Sequence, residues 1–313
     1  MIFGYILAGI SVFFWGITFV CTKSLLNDFS ALEILFCRFL AAYIGLWILY
    51  PKIEKIKLKD NLIFAAAGLF GVVLYQFAEN IAVNFTTASN VSVIVSICPL
   101  FTAIFAQIFF HEKHITPFFV IGFVFAVFGV ILVSLNGQRN FSLNPKGDFL
   151  ALFAAVCWGF YSLFVSIINK KQYNPVFATR KIFFFGVIFM IPLIVFGKIY
   201  NNFNNTSEFA KSVSVIFDLS VNAARFSKIL NWINLLFLGI VASGFCFSAW
   251  NKSCNLVGTV KISGLLYLIP VVTVIFAHFA LKEKITAMGI LGTVFTIVGL
   301  FLSEKKCLKS IQK

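Results

Sequence analysis

Long apolar runs recur along the whole chain, and most of them contain roughly 20 residues. At a rise of about 1.5 Å per residue, a helix of this length crosses the roughly 30 Å hydrocarbon core of a lipid bilayer. Within lipid the backbone polar groups must bond to one another, and a helix achieves this inside a single run. The runs therefore predict an all-α integral membrane protein with about ten transmembrane helices. The predicted segments are 3–26, 31–50, 61–83, 86–109, 115–135, 148–168, 175–197, 231–251, 258–281 and 285–303.

The composition excludes several other classes of protein. Hydrophobic residues make up 60% of the chain and charged residues 12%, with a mean hydropathy of +0.98, which is too apolar for a soluble domain. A net charge of +14 would suit a nucleic-acid-binding protein, but the lysines lie in short links between apolar runs, so no nucleic-acid partner is expected. The cysteines lack CxxC spacing, and residues 111–114 depart from the zinc-binding HExxH pattern. We therefore expect no metal and no cofactor.

The basic residues of the links predict the orientation of the chain, because cytoplasmic links carry an excess of lysine and arginine. Every second link is rich in lysine, and the tail 304–313 falls on the same side. These links carry Lys52, Lys55, Lys57, Lys59, Lys113, Lys170, Lys171 and Lys252. We therefore expect a multi-pass protein of the cell inner (plasma) membrane, with both termini and this tail in the cytoplasm.

The chain also repeats itself. Positions 84–113 align without a gap on positions 255–284. The matched pairs in the two halves include Pro99 and Pro270, Glu112 and Glu283, Trp15 and Trp158, and Gly16 and Gly159. Each half holds about five helices, an odd number, so the second half must enter the membrane from the opposite side. We therefore expect an inverted repeat with copies at 3–135 and 148–303, and with a polar loop, 198–230, inserted in the second copy.

Three stretches of the sequence resemble a known family. They are SVFFWGITFVCTKSLLNDFSALEILFCRFLAAY, NIAVNFTTASNVSVIVSICPLFTAIFAQIFFHEKHIT and LLYLIPVVTVIFAHFALKEKIT, and they are similar to the EamA domains of the drug/metabolite transporter (DMT) superfamily. The resemblance implies two EamA repeats, ten helices and a central cavity. It also implies a secondary carrier without an ATP site, commonly an exporter of amino acids or related metabolites. The superfamily includes importers and exchangers, so the resemblance names neither solute nor direction.

Charged residues inside a bilayer cost several kcal/mol unless they are paired or hydrated, which makes each of them a functional candidate. Lys23, Glu33, Arg38 and Glu79 all fall in the same half of the first three predicted helices. We hypothesise that Arg38 and Lys23 pair with Glu33 and Glu79, and that solute or proton binding rearranges the pairs, with Glu79 as the proton-coupling candidate. The alternative is a static ion-pair staple without a transport role.

Aromatic and polar residues at membrane depth are further candidates for the cavity wall. They would offer stacking surfaces and hydrogen bonds to a small zwitterionic or aromatic solute. The complete set of cavity candidates is Trp15, Lys23, Arg38, Tyr75, Gln76, Glu79, Asn90, Trp158, Tyr161, Trp250 and Tyr267. Ordinary packing is the alternative for each aromatic residue. Pro99 and Pro270, predicted inside helices, would permit kinks with a gating role, or kinks that serve packing alone.

Other functions use the same kind of helix bundle. A lipid or isoprenoid flippase would need a lateral opening, and a passive channel a continuous pore. A membrane enzyme is disfavoured because the sequence holds neither a GxSxG nor a Walker A motif. Glycines such as Gly122, Gly129, Gly292 and Gly299 let helices approach closely and could also form a homodimer face.

Overall fold

The computed structural model describes residues 1–111, 116–134, 145–203, 216 and 223–304, and its secondary structure in these ranges is helical. Eight helices are long and apolar enough to cross a membrane, as expected of a multi-pass membrane protein. They are α1 (Ile2–Leu25), α2 (Ala31–Leu49), α3 (Leu58–Phe85), α4 (Ala88–Phe110), α6 (Pro145–Asn169), α7 (Pro175–Phe203), α8 (Ile229–Val257) and α9 (Thr259–Leu281). Two further helices, α5 (Pro117–Ser134) and α10 (Ala287–Glu304), contain shorter apolar stretches.

Each predicted segment coincides with one of these helices. The largest differences are at polar links, where α7 continues to Phe203 and α8 to Val257. Within the predicted loop 198–230, the residues up to Phe203 continue α7, and Ala223–Ser227 forms a 3-10 helix. Glu112 and positions 305–313 of the predicted tail lie outside the described residues.

Two helices contain a π-helical segment, namely Gly68–Leu74 in α3 and Phe237–Phe245 in α8. Such wide turns are rare and frequently occur at functional sites. In α3 this segment contains Gly71, whose missing side chain lets α6 pack closely against α3. A Cβ atom added at Gly71 would lie only 2.2 Å from Cδ2 of Tyr161 on α6. The sequence pattern did not predict either segment.

Pro99 and Pro270 lie within α4 and α9, each in the first turn of the second part of its helix. The first part of α4 ends at Val95 and the second part begins at Cys98. In α9 a 3-10 turn, Gly264–Leu268, precedes the second part. A proline in a first turn sacrifices no helical hydrogen bond, because its missing N–H would be unpaired there in any case. The regular helix is therefore interrupted just before each proline, and a gating role for these positions stays a prediction.

The ends of the helices gather at two faces. At one face, the proximal face, Arg180 donates hydrogen bonds to the carbonyl oxygens of Tyr50 and Lys52, and Lys171 Nζ lies 3.0 Å from Asp60 Oδ1. The beginning of α1 lies there too, with Gly4 packed against Val257. The proximal face therefore joins the start of α1 to the links after α2, α6 and α8.

The distal face is the opposite face, and it gathers the links after α1, α3 and α9 together with the starts of α6 and α8. Gly147 packs against Thr86, and Lys228 Nζ lies 2.6 Å from Asp28 Oδ1. The helices α5 and α10 pack against each other beside this bundle. There the glycine prediction is confirmed, because a Cβ atom on Gly129 would lie 2.4 Å from the Thr296 nitrogen.

Candidate functional site

A cluster of aromatic side chains lies at the centre of the bundle, where α1, α3, α6 and α8 meet. The rings of Trp15 and Trp158 are 5.5 Å apart and nearly perpendicular at 86°. Trp250 lies 5.0 Å from Trp15, while Tyr75 and Tyr161 lie 4.9 and 5.0 Å from Trp158. The structure thus brings together five residues that the sequence singled out separately, and aromatic contacts at these distances stabilise such a cluster.

A buried polar group adjoins this cluster and centres on Arg38. The Arg38 guanidinium is 1% exposed, and it donates to Ser243 Oγ at 2.5 Å and to Gln76 Oε1 at 2.6 Å. The Glu79 carboxylate interacts electrostatically with Arg38 and with Tyr75. Arg38 and Glu79 therefore line the same small cavity, but the ion pairs among the described residues do not include the predicted pairing of Glu79 with Arg38 or Lys23. Ser243, which lies in the π-helical segment of α8, had no signal in the sequence.

These aromatic and polar residues enclose a central cavity of about 20 Å³, lined among others by Trp15, Arg38, Tyr75, Glu79 and Trp158. This volume holds about one water molecule and is too small for a metabolite. The two equivalent tryptophans differ in their bonding. Trp15 Nε1 donates to the Ala242 carbonyl at 2.9 Å, whereas Trp158 Nε1 is buried and has no hydrogen-bond partner in the described structure.

Three cavity candidates lie away from this centre. Lys23 Nζ donates to the Val83 and Thr86 carbonyl oxygens at 2.5 and 2.8 Å, at the C-terminal end of α3 on the distal face. Asn90 Nδ2 donates to Asp148 Oδ1 at 2.7 Å on the same face. Tyr267 is buried in a separate apolar cluster that includes Leu100, Phe119 and Ala126.

The predicted pairing of Glu33 with Lys23 or Arg38 is wrong. Glu33 instead accepts two hydrogen bonds from Arg225, each 2.8 Å long, and also caps α2 together with Ser30. Arg225 lies in the link that the sequence reading treated as an inserted loop, and no periodicity marks it. The pair fastens this link to the start of α2 on the distal face.

Glu283 makes further contacts between links at the distal face. It was not among the candidate site residues. Its carboxylate accepts hydrogen bonds from the backbone nitrogens of Ala88 and Ser89 at 2.9 and 3.3 Å, and from Ser89 Oγ at 2.5 Å. Negative charge is favourable at a helix N-terminus, and here it holds the α9–α10 link on the start of α4. The Pro…Glu spacing shared by the two halves was the signal that could have identified it.

The proximal face, in contrast, contains a cavity of about 400 Å³, which we call the vestibule. It lies between the ends of α4, α6, α8 and α9, and its lining includes Phe110, Ser162, Lys170, Gly258 and Lys261. A volume of this order accommodates a small metabolite. The described residues thus combine side-chain contacts that join links at the distal face, a small buried polar centre and an open proximal vestibule.

Comparison with known proteins identifies the family. The sequence pattern of the EamA-like transporter family matches the chain twice, at residues 2–135 and at residues 145–304. The chain belongs to the EamA-like transporter family. The predicted resemblance is thereby confirmed in both halves of this EamA-like chain, and the family is one of transporters, not of enzymes.

Curated relatives cover almost the whole EamA-like chain. An uncharacterized transporter of Archaeoglobus fulgidus is 26% identical, over 96% of this chain and 97% of the relative. A probable amino-acid metabolite efflux pump of Escherichia coli is 25% identical, over 95% of this chain and 93% of that protein. A solved crystal structure matches with a TM-score of 0.67 at 14% identity, covering 96% of this chain and 97% of the other, which shows a shared fold.

Proposed function

We propose that the protein is a secondary-active transporter that exports amino acids or related small metabolites by alternating access. The observation that carries this proposal is the asymmetry between the faces: contacts of Lys23, Glu33 and Glu283 close the distal face, whereas the vestibule opens at the proximal face. A carrier must close one side while the other is open. The similarity to the Escherichia coli protein, a probable amino-acid metabolite efflux pump, supports the class of solute.

The proposed scaffold is an inverted repeat of two five-helix units. Three pairs of features support it: the tryptophans Trp15 and Trp158, the π-helical segments of α3 and α8, and the breaks before Pro99 and Pro270. In addition, α1 begins at the proximal face, whereas α6, its counterpart in the second unit, begins at the distal face. Rocking one unit against the other would then move the opening from one face to the other.

We propose that the protein lies in the inner (plasma) membrane of the cell, with its proximal face toward the cytoplasm. The links at this face carry lysines such as Lys52, Lys57, Lys170 and Lys171, as the positive-inside rule requires. The vestibule then receives solute from the cytoplasm, which suits export.

The proposed centre of the cycle is the pair of Arg38 and Glu79. Both are buried, with exposures of 1% and 3%. Protonation of Glu79 removes the negative charge that faces Arg38, and the arginine is then left with its neutral partners Gln76 and Ser243. A buried charge without its counterion is costly, so proton binding changes the relative stability of the two conformations.

Counterflow in proteoliposomes tests the function. Vesicles loaded with one unlabelled amino acid at a time are diluted into a trace of the same labelled compound, over a panel of amino acids and their derivatives. A carrier accumulates label transiently, because it exchanges solute across the bilayer. A channel equilibrates label without this overshoot, and a flippase moves labelled lipid between leaflets instead, so either result contradicts the proposal.

A further inference from the structure

The vestibule contains buried polar groups without partners. Ser162 is 2% exposed, and its hydroxyl has no hydrogen-bond partner among the described residues. Asn169 lies further along the same side of α6, and its amide nitrogen is likewise buried and unpaired there. Both residues line the vestibule. A buried donor without a partner is unfavourable, so the two groups indicate a ligand that accepts hydrogen bonds from them.

The charges of the vestibule determine the sign of that ligand. Lys170 and Lys261 belong to its lining, and the described lining residues include neither aspartate nor glutamate. The Lys170 ammonium is 4.2 Å from the centre of the Phe110 ring, so a ring holds it at the vestibule wall. Two cations facing one cavity favour an anion.

The remaining wall is apolar and includes Ala106, Phe110, Leu163 and Val257. A fully hydrated inorganic ion gains nothing from such a surface, whereas the hydrocarbon part of an organic anion does. We propose that the vestibule binds a small organic carboxylate. The lysines neutralise its charge, and its apolar part packs against the Phe110 side. Its oxygens accept hydrogen bonds from the Ser162 hydroxyl and the Asn169 amide once these buried side chains rotate toward the cavity.

The position of this site deepens the proposed function, on which its role in transport rests. Ser162 lies about one helical turn from Trp158 along α6, and Thr102 about one turn from Cys98 along α4. Ser162 and Thr102 line the vestibule, while Trp158 and Cys98 line the central cavity. The carboxylate site is therefore the entry point of the solute, directly below the Arg38 centre.

Direct binding tests the site without any need for transport. Purified protein in phosphatidylcholine nanodiscs is titrated with radiolabelled phenylacetate by equilibrium dialysis, and empty discs give the background. We expect saturable binding of phenylacetate. The uncharged isostere phenylacetamide should compete with an affinity that is lower by about tenfold or more, and tenfold is equivalent to about 1.4 kcal/mol.

Variants locate the binding. The double substitution K170Q/K261Q is expected to raise the Kd of phenylacetate by about tenfold or more, and Ser162→Ala by roughly threefold. Lys252→Gln is the matched control, because Lys252 is an exposed lysine that does not line the vestibule. Its Kd should equal that of the unsubstituted protein. Thermal unfolding of each variant shows whether it is folded.

Several outcomes would overturn the carboxylate site: no saturable binding, equal competition by phenylacetamide, an equal loss in Lys252→Gln, or displacement of the probe by phosphatidylglycerol placed in the disc. The last result would assign the cavity to a lipid headgroup. Counterflow of an amino acid without phenylacetate binding leaves the transport function standing and removes this site. Phenylacetate binding without counterflow of any solute supports this site and contradicts the proposed transport function.

Discussion

Trp15 and Trp158 meet edge to face at the centre of the bundle, with ring centroids 5.5 Å apart and planes at 86°. They occupy matched positions in the two sequence repeats, yet Trp15 Nε1 bonds to the Ala242 carbonyl while Trp158 Nε1 has no partner in the described structure. Ala242 belongs to the π-helical segment of α8, and the matched position in α3 is Gly71. The symmetry of the sequence is thus broken at one hydrogen bond.

This difference predicts unequal effects of two matched substitutions. Trp15→Phe removes an existing hydrogen bond to the Ala242 carbonyl, which should lower the free energy of unfolding by about 1 kcal/mol. Trp158→Phe removes no bond of this conformation and should cost less. Thermal unfolding of the two purified variants measures the difference. Equal losses would contradict the assigned asymmetry.

The sequence predicted the helices well because lipid imposes a length and an apolar composition on every span. It also singled out Trp15, Trp158, Arg38 and Glu79, since their types are unusual at that depth. These residues meet in one place only through packing of distant helices, which the pattern of a single helix does not encode.

Other features had no sequence signal. Glu33 and Arg225 are far apart in the chain, and Arg225 lies in a polar link where many basic residues are alike, so their pairing was missed. The π-helical segments have the same apolar composition as the turns beside them. The interruptions of α4 and α9 just before Pro99 and Pro270 also have no separate signal, because a proline restricts the backbone in the same way inside a bent helix and at the first turn of a new helical part.

A second prediction tests whether Glu79 couples transport to protons or has only a structural role. Glu79→Gln keeps a hydrogen-bonding group beside Tyr75 but abolishes titration, so counterflow should lose its dependence on pH. The control is Glu33→Gln, which changes another buried carboxylate that Arg225 holds on the distal face. This control should retain the pH dependence. A Glu79→Gln protein that transports with the original pH profile would show that the carboxylate is structural.

A third prediction concerns the closure of the distal face. Glu283→Gln weakens the cap on the backbone nitrogens of Ala88 and Ser89, and loss of such a cap costs about 0.5–2 kcal/mol. Hydrogen exchange followed by mass spectrometry should therefore show several-fold faster exchange at the start of α4. Lys284→Gln, at the exposed neighbouring position, should leave this exchange unchanged. Unaltered exchange in Glu283→Gln would mean that the contact does not hold the face closed.

The last prediction concerns the pH dependence of stability at the link between α1 and α2. Hydrogen bonds from Lys228 and Asn231, the main causes, lower the pKa of the Asp28 carboxyl. A carboxyl with a lowered pKa in the folded state stabilises the protein above its ordinary, unfolded pKa. This contribution falls as the pH drops through the lowered value, because protonation breaks the pair with Lys228.

The effect should be small, since exposed ion pairs contribute about 0–1 kcal/mol. Asp28→Asn should therefore lower the thermal stability slightly at neutral pH and leave it unchanged in acid, where the carboxyl is protonated in both states. Lys228→Gln should give the same pattern, because it removes the other partner of the same pair, which measures 2.6 Å between Nζ and Oδ1. High salt should reduce both differences through screening. A destabilisation of Asp28→Asn that is as large in acid as at neutral pH would assign the residue to packing instead of charge.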